Sequence, residues 1–206
     1  MENLCRQERC RIARGVPEGC MILTDREIKA CLEHGLIDVE PAPDPSAYSS
    51  TSLDLTLDHR CQVYKQESVG LERIIDPATP GFNTRSAIDE LTMWQEIGPT
   101  GFDLEPQRLI LAWTREFINL KLQSRLAARV EGKSSLARLG LLVHLTAPTI
   151  HAGFSSPIQL EIINLGCRPI RLRPGMPICQ LIFEQTFGVA EKGYAGRFAE
   201  QGVPGR

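Results

Sequence analysis

The segment SLDLTLDHRCQVY, residues 52–64, constrains the fold more than any other stretch of the chain. Leu53, Leu55 and Leu57 alternate with Asp54, Thr56 and Asp58. A period of two places the leucines on one side of an extended chain and the polar residues on the other, the pattern of a strand with one face against a core. From residue 108 onward similar runs return as RLILAWT, FINL, AARVE, LLVHLT, IQLEIIN, RPIRL and PICQLIFE, separated by turn residues. Short strands in such series close into a sandwich, barrel or jelly roll. No repeat of fixed period interrupts them. The expectation is one mainly-β domain.

A single short helix precedes the strands. Thr24-Asp25-Arg26-Glu27 has the form of a capping box, Ile28 and Leu32 lie four apart on one face, and Gly35 can close the helix. This predicts a helix over 25–34. Pro41, Pro43 and Pro45 forbid its continuation. Residues 66–106 are punctuated by proline and glycine, with a helical turn expected near Ser86–Trp94. Residues 1–20 carry Arg6, Arg9, Arg11 and Arg14 with little apolar periodicity and read as an N-terminal extension.

Bulk properties exclude several function classes. A net charge of -2 over 206 residues argues against general nucleic-acid binding, which needs a basic excess. No apolar run is long enough to span a bilayer. The first residues lack the apolar stretch of a secretory signal, and Glu2 and Glu8 weigh against a transit peptide, so the expected location is cytoplasmic. The seven cysteines include no CxxC and no metal-ligand spacing, which predicts reduced thiols and no protein-ligated metal.

The octapeptide EGKSSLAR, residues 131–138, ends like a phosphate-binding P-loop. That motif needs a glycine five residues before Gly132, where this chain has Ala127, and the intervening residues read as strand. A Walker A loop is therefore excluded. The residue types still suit phosphate: Gly132 permits a turn, Ser134 and Ser135 can cap a short helix, Lys133 brings charge, and Arg138 shares a helical face with Ser134. A capped surface helix with solvated Lys and Arg accounts for the same residues.

In IQLEIIN, Ile158, Leu160 and Ile162 point one way and Gln159 and Glu161 the other. A carboxylate on a largely buried strand costs free energy unless paired, and desolvation tends to raise its pKa, which suits a general acid/base. A structural glutamate paired with an arginine is the competing reading. His144, Thr146 and His151 lie just upstream. No G-x-S-x-G elbow, H-E-x-x-H pair or P-C-x-x-C element accompanies them, so serine-hydrolase, zinc-protease and zinc-deaminase chemistry are not favoured.

Taken in order, EGKSSLARLGLLVHLTA, IHAGF, IQLEI and RPGMPICQLIFE resemble the dCTP deaminases of the dUTPase-like superfamily. MILTDREIKACLEHGLIDVEP and TSLDLTL extend the likeness backward, and GYAGRFAEQ extends it forward, so it covers residues 21 to about 201 with weaker matching over 66–106. The resemblance implies a distorted jelly-roll subunit in a homotrimer with active sites at subunit interfaces, and a domain over 21–206 whose closing segment spans about 190–206. It implies metal-free deamination of dCTP to dUTP and ammonia, with Mg²⁺ carried on the substrate triphosphate. Glu161 would be the acid/base, Ser134 would orient the water, and Arg138 from a neighbouring subunit would steady the developing charge. The backbone near Ala147 would read the base edge, with Gln159 and Leu160 beside the acid, and His151 would meet the deoxyribose. Lys133 and Ser135 would hold phosphates, with Tyr194, Arg197 and Gln201 closing from the tail. Family members usually begin near Met21, and dTTP is a common feedback inhibitor among them.

The chain departs from the family pattern at a few positions. His151 stands where aspartate is usual, Ser156 where glycine is common, Lys133 for a frequent arginine and Phe198 for a frequent tyrosine. In related dUTPases the matching aspartate activates the water that attacks the α-phosphate. Its replacement by histidine favours plain deamination over a bifunctional, dUMP-forming reaction. A dUTP diphosphatase, a nucleotide-binding regulator without turnover and a structural β-trimer module are the alternatives.

Overall fold

A computed structural model describes residues 21–65 and 74–194. The chain order is β1 (Met21–Ile22), α1 (Asp25–Glu33), β2 (Ile37–Glu40), β3 (Tyr48–Ser49), β4 (Ser52–Tyr64), α2 (Thr84–Leu91), β5 (Thr92–Glu96), β6 (Phe102–Leu104), β7 (Leu109–Leu120), β8 (Leu126–Gly132), α3 (Ser134–Ala137), β9 (Leu141–Leu142), β10 (Thr149–Ile150), β11 (Ser155–Asn164), β12 (Ile170–Leu172) and β13 (Pro177–Gln185). The mainly-β expectation holds.

Helix α1 begins as its sequence dictates: Glu27 reaches back to the Thr24 N–H at 3.0 Å and also accepts the Thr24 hydroxyl. Ile28 and Cys31 are its buried residues, and Gly35 follows at φ +64. Helix also forms in the second expected stretch, with other limits. The helix runs Thr84–Leu91, and Trp94 belongs to a strand. Asn83 caps this helix by accepting the Ser86 N–H at 3.0 Å, and the following residues pair with β4, Trp94 opposite Gln62.

Strand β4 spans the predicted 52–64 and organises the rest. Leu53, Leu55 and Leu57 are fully buried. Its first half pairs with β13, Leu53 opposite Leu181. Between Leu57 and Cys61 the register shifts, and the second half pairs with β7, Cys61 opposite Ala112. A bulge of this kind bends a strand and lets it leave one sheet for another. The connected sheet runs β10-β8-β13-β4-β7-β11-β9, with β1 on β13, β2 on β7, and β3 and β5 on β4; β6 and β12 form a separate pair. The core lies inside this curl, where Ile110, Ala112, Leu160, Ile162, Leu181 and Phe183 are sealed from solvent.

A smaller apolar cluster lies on the other face of β7. Leu111 and Trp113 are buried there against Tyr64 and Ile88. Trp94 stacks on Trp113 with ring centroids 5.0 Å apart. The segment α2–β5 thus covers the outer face of β7. The LLVHLT run is shorter as a strand than its composition predicts: only Leu141–Leu142 pair, with Asn164 and Ile163.

Candidate active site

Glu161 sits in β11 directly opposite Leu111 of β7, so both side chains rise from the outer face of the sheet. Its sequence neighbours Leu160 and Ile162 point inward and are fully buried. A bulge between Pro157 and Gln159 shifts the register just before it. The bulge is held by the buried Thr114 hydroxyl, which accepts the Ile158 N–H at 2.9 Å and donates to the Glu116 carbonyl at 2.8 Å. Glu161 itself is half-buried, and the Leu145 N–H donates to its Oε2 at 3.4 Å. On the other flank, burial raises the Tyr64 phenol above its ordinary pKa and the Glu161 charge adds to the rise, so the two side chains lie within electrostatic range.

The serine-rich turn follows β8 and opens α3. Ser134 and Ser135 form its first turn, and Lys133 occupies the cap position without a side-chain cap bond. This corrects the expectation that the serines cap the helix. Their hydroxyls, like the Arg138 side chain, are exposed. Lys133 is not free in this arrangement: its ammonium pairs with Asp54 of β4, both side chains largely shielded. The second Asp54 carboxylate oxygen, Oδ1, is buried without a hydrogen-bond partner.

Backbone crossing fixes α3 relative to β11. Gly140 has φ +94, and a Cβ there would meet the Gly166 N at 2.3 Å. The Leu165 N–H donates to the Gly140 carbonyl at 2.8 Å, and buried Asn164 binds the Leu104 and Arg168 carbonyls and the Gly166 N–H. This clamp anchors Ser134–Arg138 near the end of the strand that carries Glu161. Among the described residues, Ser134 and Arg138 form no hydrogen bond or ion pair with Glu161 within one chain.

The remaining expected residues divide into three groups. Gln159 rises beside Trp113 on the Glu161 face, and Ala147 is exposed. Leu160 turns its side chain into the core, so only its backbone lies near the site. His151 is exposed and stacks on Tyr194, ring centroids 5.8 Å apart. Arg197 and Gln201, and most of the expected closing segment, lie outside the described residues. Sequence reading missed Asp54, the Leu145 N–H and the Gly140–Gly166 clamp. The RLG and NLG glycines were the available signal for the last.

No helix among the described residues is long and apolar enough to cross a membrane. Among the same residues, no group of three or more His, Cys, Asp or Glu is clustered to hold a metal ion.

The family model described as dCTP deaminase-like matches residues 22–186. A protein named dCTP deaminase from Shewanella loihica is 38% identical over 179 residues, covering 86% of this chain and 90% of that one. One named dCTP deaminase, dUMP-forming, from Methanothermobacter thermautotrophicus is 39% identical over 174 residues, covering 84% and 83%. The crystal structure of 2'-deoxycytidine 5'-triphosphate deaminase from Agrobacterium tumefaciens superposes with a TM-score of 0.61 at 24% identity, a likeness of fold. It covers 81% of this chain, which spans about half, 48%, of that longer one.

Proposed function

From membership of the dCTP deaminase-like family, to which this chain belongs, we propose that it removes the 4-amino group of dCTP by hydrolysis, giving dUTP and ammonia. The observation that carries the reading is the setting of Glu161. It is a half-buried carboxylate on a strand whose flanking residues are sealed in the core, and it faces an open surface with one long backbone contact. Such a group can take up and release protons without breaking a structural network.

Glu161 removes a proton from water as the oxygen attacks C4 of cytosine. The proton passes to N3, and a tetrahedral carbon forms. A second transfer to the 4-amino group lets the C4–N bond break, and ammonia leaves. Ser134 orients the water. Arg138 of a neighbouring subunit in a homotrimer steadies the charge that develops at the carboxylate and base, which accords with its exposure in the single chain. The Ala147 backbone reads the base edge, with Gln159 and the Leu160 backbone beside the acid. Ser135 and Lys133 hold the Mg²⁺-bearing triphosphate of the substrate, Lys133 exchanging Asp54 for phosphate, and Tyr194, Arg197 and Gln201 complete the nucleotide contacts. The reaction is placed in the cytoplasm, and dTTP is the nucleotide to test as feedback inhibitor.

The dUMP-forming reaction is the second reading, because relatives of that name match as well as plain deaminases do. His151 favours the simpler product, since an imidazole stacked on Tyr194 stands where a water-activating carboxylate is usual. Ammonia and pyrophosphate release from dCTP, dCMP and dUTP, measured side by side, tests both. Ammonia without pyrophosphate from dCTP is expected. Pyrophosphate from dCTP or dUTP would establish the second reading, and no ammonia from dCTP would overturn the proposal.

A further inference from the structure

The turn at residues 151–154 is bolted to the end of β7: the Gly153 N–H donates to the Leu120 carbonyl at 2.8 Å and the Leu120 N–H to the Phe154 carbonyl at 2.9 Å. Onto this turn the chain returns forty residues later. The Tyr194 N–H donates to the Ala152 carbonyl at 3.0 Å. The Tyr194 ring lies nearly parallel to His151, with centroids 5.8 Å apart and 18° between planes, and tilts against buried Phe154 at 5.7 Å. Gly153 has φ +83, and a Cβ there would lie 3.0 Å from both the Gly193 Cα and the Tyr194 N. The crossing is therefore close enough that a side chain at 153 would crowd the returning backbone.

We propose that His151 is a positioning residue, the aromatic platform that clasps Gly193–Tyr194 onto the 151–154 turn and so sets where Tyr194 presents itself to the nucleotide. The inference rests on the reading above that Tyr194 belongs to the substrate site. An aspartate at this position has no ring to offer, so the histidine and the tyrosine work as a pair. A stack between an exposed ring and a half-buried one shifts an equilibrium by between about twofold and tenfold, which sets the size of the effect on substrate binding.

The full chain contains three tyrosines, so 3-fluorotyrosine labelling gives three ¹⁹F resonances, and Tyr194→Phe identifies the one that matters. Without nucleotide, His151→Ala is expected to move that resonance, while His151→Phe keeps it close to a ring-shifted position. In turnover of dCTP, His151→Ala is expected to raise KM by about two- to tenfold with kcat changed less than about twofold. His151→Phe should restore KM, and His151→Ala combined with Tyr194→Ala should be no worse than the worse single variant. A resonance indifferent to His151→Ala, a His151→Phe enzyme as impaired as the alanine variant, or additive single effects would each overturn the proposal. If wild-type protein releases no ammonia from dCTP, the functional reading fails, and the fluorine resonances still decide whether the clasp exists.

Discussion

Two glutamates on adjacent strands meet opposite fates. Glu116 of β7 is 8% exposed and accepts the Thr56 N–H at 2.8 Å and the Thr56 hydroxyl at 2.6 Å, one on each oxygen. Glu161 of β11 stands on the neighbouring strand, half-buried, with a single backbone donor at 3.4 Å. Glu116 lies in REFI and Glu161 in LEII, and neither stretch announces which carboxylate is structural. The difference is the supply of donors. A carboxylate whose oxygens are both claimed by short, charge-assisted bonds is a fixed part of the scaffold. One left with spare capacity at an open face can exchange protons with a ligand.

The contrast can be broken most directly at Glu161. Glu161→Gln is expected to lower deamination about 10³-fold or more, with dCTP affinity kept within about tenfold, roughly 1.4 kcal/mol, and an unchanged urea midpoint. Wild-type turnover in that variant would remove the chemical half of the comparison. Glu116→Ala is next in size. Losing two bonds to a charged acceptor should cost on the order of 3 kcal/mol of stability, read as a lower urea midpoint at constant m-value. A neutral effect would show that Glu116 is no strut.

Cys179 gives a subtler reading of the same scaffold. Burial first, then the charges of Glu116 and Asp54, push its thiol well above the ordinary range, and burial alone pushes Cys61 up to about 12. Both should resist alkylation at pH 8 in the folded protein, whereas exposed Cys167 reacts. Mass mapping should show Cys179 labelling faster in Glu116→Ala but not in Glu161→Gln. The smallest effect belongs to a carboxylate outside both environments. Arg171 holds the exposed Asp103 below its usual pKa through paired bonds of 2.7 Å. A lowered folded-state pKa adds stability above the ordinary carboxylate value and loses it as pH falls through the lowered one. Asp103→Asn should therefore flatten the acid limb of a stability profile slightly and leave neutral pH nearly untouched.

How much of this could be read in advance depended on the range of the interaction concerned. The strand at 52–64 was legible because its inward leucines obey a strict period of two, and Glu161 because it is a carboxylate on the outward side of the same alternation in an otherwise apolar strand. LLVHLT misled because its apolar residues serve different ends: Val143 enters the core, while the Leu145 N–H turns to Glu161 instead of a neighbouring strand. The helical turn expected near Ser86–Trp94 stops at Leu91 because the residues after it found a partner in β4, a tertiary pairing that local propensity does not register. In the candidate site, Ser134 and Arg138 were visible as a four-residue spacing. Asp54, the partner of Lys133, was not, since 79 residues separate them and only the curl of the sheet brings them together.

Strand β4 belongs to two sheets at once. Its early residues bond to β13 and its late residues to β7, along a single uninterrupted backbone. The Asp54–Lys133 end and the Glu161 end are thereby denied separate melting: neither half can be peeled away without fraying the thread that stitches the other. Amide hydrogen exchange should report this as one cooperative unit, with Leu55 and Val63 opening at the same free energy although they pair with different partners.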